Sequence, residues 1–363
     1  MHRILFVTYG DWSHASSRTR ALEYKNIFES WGWKAQWVKR RPFSNSYYPS
    51  SIQAFRIFVY KRTFAFRFLL HLLQLIIIKF LPNDNEGQLI LYFQKEIVRP
   101  IWLKVFCRIH NLKVVYDIDD AIHLEMDQEK TVVFSGFLNA CNLVICSTPY
   151  LVQSLLYHTD SNPNIILLPT PVKVRPRNGR YLVSAPYVLG WIGSPSTQDN
   201  LDIVFEALCQ LKTSNLKVEL CGVKDLLIPT ELGGLVSIRN WTLKNQQELL
   251  NQMDYGLAPL KDSDWNNQKG GYKINLYSAN GIPTIGSPVG VNRDLMEGMG
   301  SYICEEVEDW KKTLRMLDQH ELKPAYESKA KYAFGYAFKN LSYHYTSLLL
   351  KAEIEKLSPK NYE

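Results

Sequence analysis

The chain has 363 residues, is 46% hydrophobic and carries a formal net charge of +7; this length exceeds the usual size of one core, so two α/β domains of about 150 to 180 residues are expected. Its six cysteines (Cys107, Cys141, Cys146, Cys209, Cys221 and Cys304) form no CxxC pair and join no His/Cys cluster at zinc spacing, which points to a reducing compartment, buried free thiols and no structural metal. The charge is uneven, with 23 Lys+Arg against 13 Asp+Glu up to residue 180 and 19 against 22 beyond it, so only the first half is basic and suited to a negatively charged partner.

Met1 to Thr8 opens on a short apolar run without the charged start, long apolar stretch and cleavage site of a signal peptide, so a cytoplasmic protein is expected. Short β-rich runs then alternate with helical stretches, the pattern of parallel sheets wrapped by helices. Strands are expected near Arg3 to Thr8, Lys34 to Val38, Gln88 to Phe93, Lys113 to Asp117, Asn142 to Ser147 and Asn164 to Leu168. Between the second and third lies Phe68 to Leu81, the longest apolar stretch; it carries His71, Gln74 and Lys79 and is shorter than the ~20 residues that span a bilayer. The segment 169–186, with four prolines and four basic residues, reads as an interdomain linker. A second series of strands follows at Tyr187, Leu216 to Gly222, Val236 to Asn240, Tyr255 to Ala258, Ile282 to Ile285 and Ser301 to Cys304, and Ala333 to Leu357 has the periodicity of a closing helix. The expected division is thus a first domain over 1–170, a linker over 171–186, a second domain over 187–332 and a C-terminal helix and tail over 333–363.

Ligand sites in open α/β sheets lie at the carboxyl ends of the strands. After the first strand, Gly10 permits close backbone approach to a ligand. His14, Ser16, Ser17, Arg18 and Arg20 follow at a helix start, where cations oppose the dipole and so suit an anionic ligand, although a capped helix with surface arginines explains them too. Asp117, Asp119 and Asp120 crowd the end of a later strand and would repel unless something cationic or hydrogen-bonding compensates them. Metal binding, a helix cap by Asp120, and Asp119 or Asp120 facing a bound substrate with His123 nearby are the readings open to them. In the second half, Gly193-Ser194-Pro195-Ser196-Thr197 forms a turn that either meets phosphate or sugar or is capped by Ser196 or Thr197, and Trp241 suits a base or the core. Lys269 and Lys273 flank Gly270, Gly271 and Tyr272 at the start of a helix expected over 272–279, where exposed amides favour an anion such as a diphosphate; solvated surface lysines are the plainer reading.

The window from Tyr255 to Arg293 resembles the retaining GT-B glycosyltransferases of family 4, through Pro259-Leu260, Asp262, Trp265, Lys269, Gly271, Lys273, Ala279, Gly281, Pro283, Ser287-Pro288-Val289-Gly290 and Asn292. The turn Gly190 to Ser194, Ser16 to Arg20 and Val115 to His123 extend the resemblance over most of the chain. It implies an α/β GT-B fold, two doubly wound Rossmann-like domains facing across a cleft, and a retaining hexosyltransferase that needs no metal or cofactor and uses a UDP- or GDP-sugar. Lys269 and Lys273 would neutralise the leaving diphosphate, Asp119 and Asp120 would serve catalysis, and Gly10, Gly193, Ser194, Trp241, Gln268, Gly270, Gly271 and Tyr272 would bind the donor. Ser17, Arg18 and His123 would line the acceptor side. The family often carries two glutamates eight residues apart where this chain has Gln268 and Leu276; glutamine still bonds sugar hydroxyls, whereas leucine binds no ribose diol.

The acceptor implied is a glycan or lipid-linked molecule. Basic and apolar residues interleave from Arg56 to Lys79, so a peripheral contact of residues 56–81 with an anionic membrane is expected, at its cytoplasmic face. Nucleic acid ranks lower, since no fold or motif for it is present. A nucleotide-sugar 2-epimerase and a non-catalytic membrane-associated scaffold of the same fold remain open alternatives.

Overall fold

The computed structural model describes residues 2–40, 63–79, 88–98, 112–159, 164–176 and 183–357, together with Val59 and Leu103. The chain divides into two compact units, one of Met1–Pro169 with Thr346–Glu363 and the other of Thr170–Tyr345. Much of the expected linker belongs to the second unit: Val172 N–H donates to Leu341 O and Arg175 N–H to Ala279 O, while residues 177–182 lie outside the described set.

The first unit holds a parallel sheet of six strands, β1 (Arg3–Thr8), β2 (Lys34–Lys39), β3 (Leu89–Gln94), β4 (Lys113–Ile118), β5 (Leu143–Cys146) and β6 (Ile165–Leu167), in the order β2-β1-β3-β4-β5-β6. The second repeats the plan with β7 (Tyr187–Ile192), β8 (Leu216–Cys221), β9 (Val236–Arg239), β10 (Tyr255–Ala258), β11 (Thr284–Gly286) and β12 (Tyr302–Ile303), in the order β12-β11-β10-β7-β8-β9. Helices cover the faces of both sheets, so strands such as β1, β3 and β10 are buried at every position and read as unbroken apolar runs rather than alternating ones. The outer strands β6 and β9 are partly exposed, as edges are.

Helical residues 15–30 form α1, in which α-helical Ala15–Ser17 and Glu23–Ser30 flank a π-helical turn, Arg18–Leu22. Among the described residues the other α-helices of seven residues or more are α2 (Phe64–Lys79), α3 (Gln128–Ala140), α4 (Pro149–Leu156), α5 (Asp202–Cys209), α6 (Leu243–Gln252), α7 (Tyr272–Ser278), α8 (Asn292–Gly298), α9 (Val307–Asp318), α10 (Tyr326–Asn340) and α11 (Tyr343–Glu355), and a short helical turn, Asp264–Asn267, precedes α7. The single closing helix expected from Ala333 onward is two helices, because the chain breaks at Leu341–Ser342 to receive Val172 in an isolated bridge. Among the described residues no helix is long and apolar enough to cross a membrane.

Strand order fixes where each unit can hold a ligand. Neighbouring strands diverge above the sheet where the winding reverses, and the gap opens at their carboxyl ends. In the first unit that point lies between β1 and β3; in the second it lies between β7 and β10.

Candidate active site

In the second unit, Tyr277 of α7 closes the base of the gap. Its phenol oxygen accepts from Ile192 N–H of β7 at 3.0 Å and donates to Leu257 O of β10 at 3.3 Å. A side chain at Gly256 would overlap its ring, 2.2 Å from the nearest atom. Tyr277→Phe is expected to cost about 1–3 kcal/mol, since a buried backbone group is left without its partner, and urea denaturation measures it.

Above that floor the backbone is packed without room for side chains. A Cβ on Gly193 would sit 2.2 Å from the Trp191 ring, and one on Gly222 would sit 2.3 Å from Gly193 O. Trp241 lies beside Gly222 and bonds Gln246 through its indole N–H at 3.1 Å. The cap of the following turn is Ser194 rather than Ser196 or Thr197, because Thr197 Oγ1 accepts from the Ser194 N–H, completing a capping box.

The loop leading into α7 is held from several sides. Gly271 is the helix N-cap with φ of 63°, a conformation that suits glycine, and a Cβ there would strike Leu295 at 2.4 Å. Asn275 donates to Thr170 O at 3.1 Å and Gly270 O at 3.4 Å, while the Gln268 amide donates to Asp264 O. Gly290, φ 54°, lies against the Asn267 backbone. Ser287 Oγ accepts from Leu260 N–H, so the Ser287–Gly290 turn supports the loop. Leu276 is buried in the core.

Lys273 crosses this gap with its Nζ 5.2 Å from the centre of the Trp191 ring, a cation–π contact. Burial first, and the Lys269 charge second, bring its pKa down to about 8. Among the described residues no carboxylate pairs with it. A partly buried ammonium without a carboxylate of its own, next to a second cation, has the chemistry to receive an anion.

The first unit places its polar residues around the carboxyl ends of β1, β3 and β4. Here the residues singled out in the sequence have partners within the protein. Gly10 is required by its own helix start, since a Cβ would lie 2.7 Å from His14 Cβ. Ser17 is fully buried; its hydroxyl accepts from Gly10 N–H at 3.1 Å and donates to Gln94 Oε1 at 3.0 Å. Arg18 is buried too and donates to Trp12 O at 2.7 Å. Arg20 is fully buried: its Nε–H donates to Asp117 at 2.6 Å and its terminal nitrogens to Leu168 O. Burial alone would lower the guanidinium pKa, and the Asp117 charge reverses that and raises it. Arg18 and Arg20 are buried within the π turn and Ser17 just before it, and such turns are frequent at functional sites. His123 is packed against Phe134 and His158, with Nε2 2.6 Å from Ser154 Oγ; burial, then His158, brings its pKa down to about 4.

The remaining carboxylates are compensated by Lys95, which sequence reasoning missed. Its Nζ lies 2.9 Å from Asp119, also pairs with Asp120, and donates to Ser16 Oγ at 3.0 Å. Burial would raise the Asp119 carboxyl, but Lys95 above all, with Arg20 and a hydrogen bond from Ser16, holds it below the usual value. His14 sits beside this group, its pKa brought down to about 4 by burial and then Lys95.

The fold has relatives of known structure. The chain is similar to sucrose-phosphate synthase from Thermosynechococcus elongatus, at 11% identity and TM-score 0.69 over 98% of this chain and 99% of that one. It is similar to Anabaena HepE, solved with UDP and with UDP-glucose, at 12% identity and TM-score 0.63 over 98% and 100%. It is also similar to WaaG, a glycosyltransferase involved in lipopolysaccharide biosynthesis, at 13% identity and TM-score 0.59 over 99% and 100%. The fold is that of the GT-B glycosyltransferases. No protein-family model and no curated protein sequence matches the chain.

Proposed function

We propose that this protein is a retaining, metal-independent glycosyltransferase of the family 4 type, taking a hexose from a UDP- or GDP-sugar to a glycan or lipid-linked acceptor. The observation that carries this reading is the Lys273 ammonium, with Lys269 next to it and no carboxylate paired with Lys273 among the described residues, beside the β7–β10 switch point, in a fold shared with a protein solved with UDP and with UDP-glucose. The nucleotide sugar binds the second unit, its diphosphate on the two lysines and the amides around Gly270, Gly271 and Tyr272, with Gly193, Ser194, Trp241 and Gln268 around the rest of it. In the reaction the bond from the sugar's anomeric carbon to the diphosphate breaks and one from the acceptor oxygen forms. The acceptor's hydroxyl proton passes to the departing diphosphate. Two lysines supply the positive charge that a metal would otherwise bring, and Lys95 does so for Asp119 and Asp120.

The test is a thermal-shift screen of nucleotides and nucleotide sugars followed by transfer assays. A ligand at a hundred times its dissociation constant stabilises by about 2.7 kcal/mol. No shift with any nucleotide diphosphate would support a scaffold instead, and conversion of the donor without an acceptor would support a 2-epimerase.

The acceptor reading includes a contact with the cytoplasmic face of an anionic membrane. Phe66, Leu69, Leu70 and Leu73 on α2 are 64%, 42%, 43% and 43% exposed, and their spacing makes one helical stripe. Arg56, Lys61 and Arg62, which the sequence adds to this face, lie outside the described residues. Leu69→Gln and Leu73→Gln are each expected to weaken flotation with phosphatidylserine vesicles by about tenfold, for the loss of one inserted side chain.

A further inference from the structure

We propose that Lys95 is the positioning residue of the acceptor site: its ammonium holds the Asp119 and Asp120 carboxylates in place so that Asp120, the more exposed, receives the acceptor hydroxyl. This rests on the transferase reading above and assigns roles within it.

Lys95 directly follows β3, and Asp119 and Asp120 follow the adjacent β4, so the cluster stands beside the β1–β3 switch point. An ammonium has three N–H donors, and those of Lys95 are met by Asp119, Asp120 and Ser16. With its side chain only 8% exposed, Lys95 has nothing left to offer a substrate and acts through the carboxylates. The two aspartates differ in access, with side chains 10% and 31% exposed respectively. Asp119 is the buried member that anchors the ammonium, and Asp120 is the member that a hydroxyl can reach.

The backbone supports the assignment. Lys95 adopts φ of 58°, a left-handed conformation that costs a non-glycine residue about 1–2 kcal/mol. Such strain persists where the surroundings over-determine it, and it gathers at functional sites. Here it turns the chain at the end of β3, where Lys95 N–H donates to Asp117 O at 3.0 Å, and the side chain turns with it toward Asp119 and Asp120. A glycine would take the same backbone without strain, but without the ammonium.

That difference supplies the test. Wild type, Lys95→Gly, Lys95→Arg and Asp120→Asn are compared in nucleotide-induced thermal shift, in kcat and acceptor KM, and in the pH profile of transfer. Lys95→Gly is expected to keep the nucleotide-induced shift and to lose about 100-fold in kcat/KM for the acceptor, the scale of a reacting group held out of position. Its residual activity should fall away at higher pH on the acid side, because carboxylates without the ammonium protonate sooner. Lys95→Arg should recover about tenfold of that loss, and Asp120→Asn should lose the acid limb altogether with its melting temperature unchanged. Transfer by Lys95→Gly at more than half the wild-type rate, or an acid limb unmoved in that variant and kept in Asp120→Asn, overturns the proposal while leaving the transferase reading intact. Should Lys95→Gly not fold, the pH profiles of Lys95→Arg and Asp120→Asn decide alone. A wild-type protein that binds a nucleotide sugar yet transfers to no acceptor overturns both.

Discussion

Lys273→Met is expected to lower kcat/KM for the nucleotide sugar by about 10²- to 10³-fold, the scale set by removing one preorganised donor to a developing negative charge. The same variant should melt no lower than the wild type without ligand. Methionine keeps the contact with the Trp191 ring, and the charge that it removes is one the fold disfavours, since burial and Lys269 bring the pKa of Lys273 down to about 8. A folded-state pKa below the unfolded value of about 10.4 means that the unfolded chain binds more protons between those two values. Stability therefore rises with pH across that window in the wild type, and Lys273→Met should lack this rise. Bound diphosphate acts in the opposite direction by favouring the ammonium. Donor affinity should accordingly weaken as pH climbs past 8, and calorimetry at pH 9 in buffers of different ionisation enthalpy should report proton uptake on UDP binding. An unchanged kcat/KM in Lys273→Met would remove the basis for placing the diphosphate there.

The second large effect is on stability. Arg20→Met leaves the Asp117 carboxylate buried with the Tyr92 hydroxyl as a neutral partner, and removing one member of a buried pair costs about 3–5 kcal/mol. Without Arg20 the Asp117 carboxyl has its folded-state pKa raised by burial. The folded protein then binds the extra proton, so stability falls as pH rises above the unfolded value of about 3.9. The deficit in urea denaturation should thus be smaller at pH 5 than at pH 8. Exchanging both residues, as Arg20→Met with Asp117→Leu, should recover at least half of the loss, because no unpaired charge remains.

Strands were the most legible part of the fold. Each of the twelve has a run of apolar or β-branched residues bounded by a polar or glycine turn, a signal carried within a few neighbouring positions. The need for a counter-charge at Asp117, Asp119 and Asp120 was also legible, because three close carboxylates repel. Which cations would meet it was not. Arg20 lies 97 positions from Asp117, and Lys95 lies 25 from Asp120; both meetings depend on the order in which strands join the sheet, which no local pattern encodes. The same holds for Tyr277, whose phenol bonds Ile192 from 85 positions away. Arg18 and Arg20 read as facing an anionic ligand from a helix start, and no local pattern marks the π turn in which both are buried. Gly193 reads as part of a turn, but that the Trp191 ring fills the space beside it follows from tertiary packing rather than from neighbouring residues.

The last helix has a consequence for how the protein is made. From Thr346 onward α11 belongs to the first unit, burying Leu350 and Ile354 and resting Lys351 over the Trp31 ring at 4.9 Å. Domains usually complete themselves in the order in which they leave the ribosome. Here the first unit waits for residues translated after the second, so the second unit is complete before the first has this wall. A nascent chain whose emerged part ends near residue 345 should carry a protease-resistant second unit and a first unit still open to cleavage around Trp31.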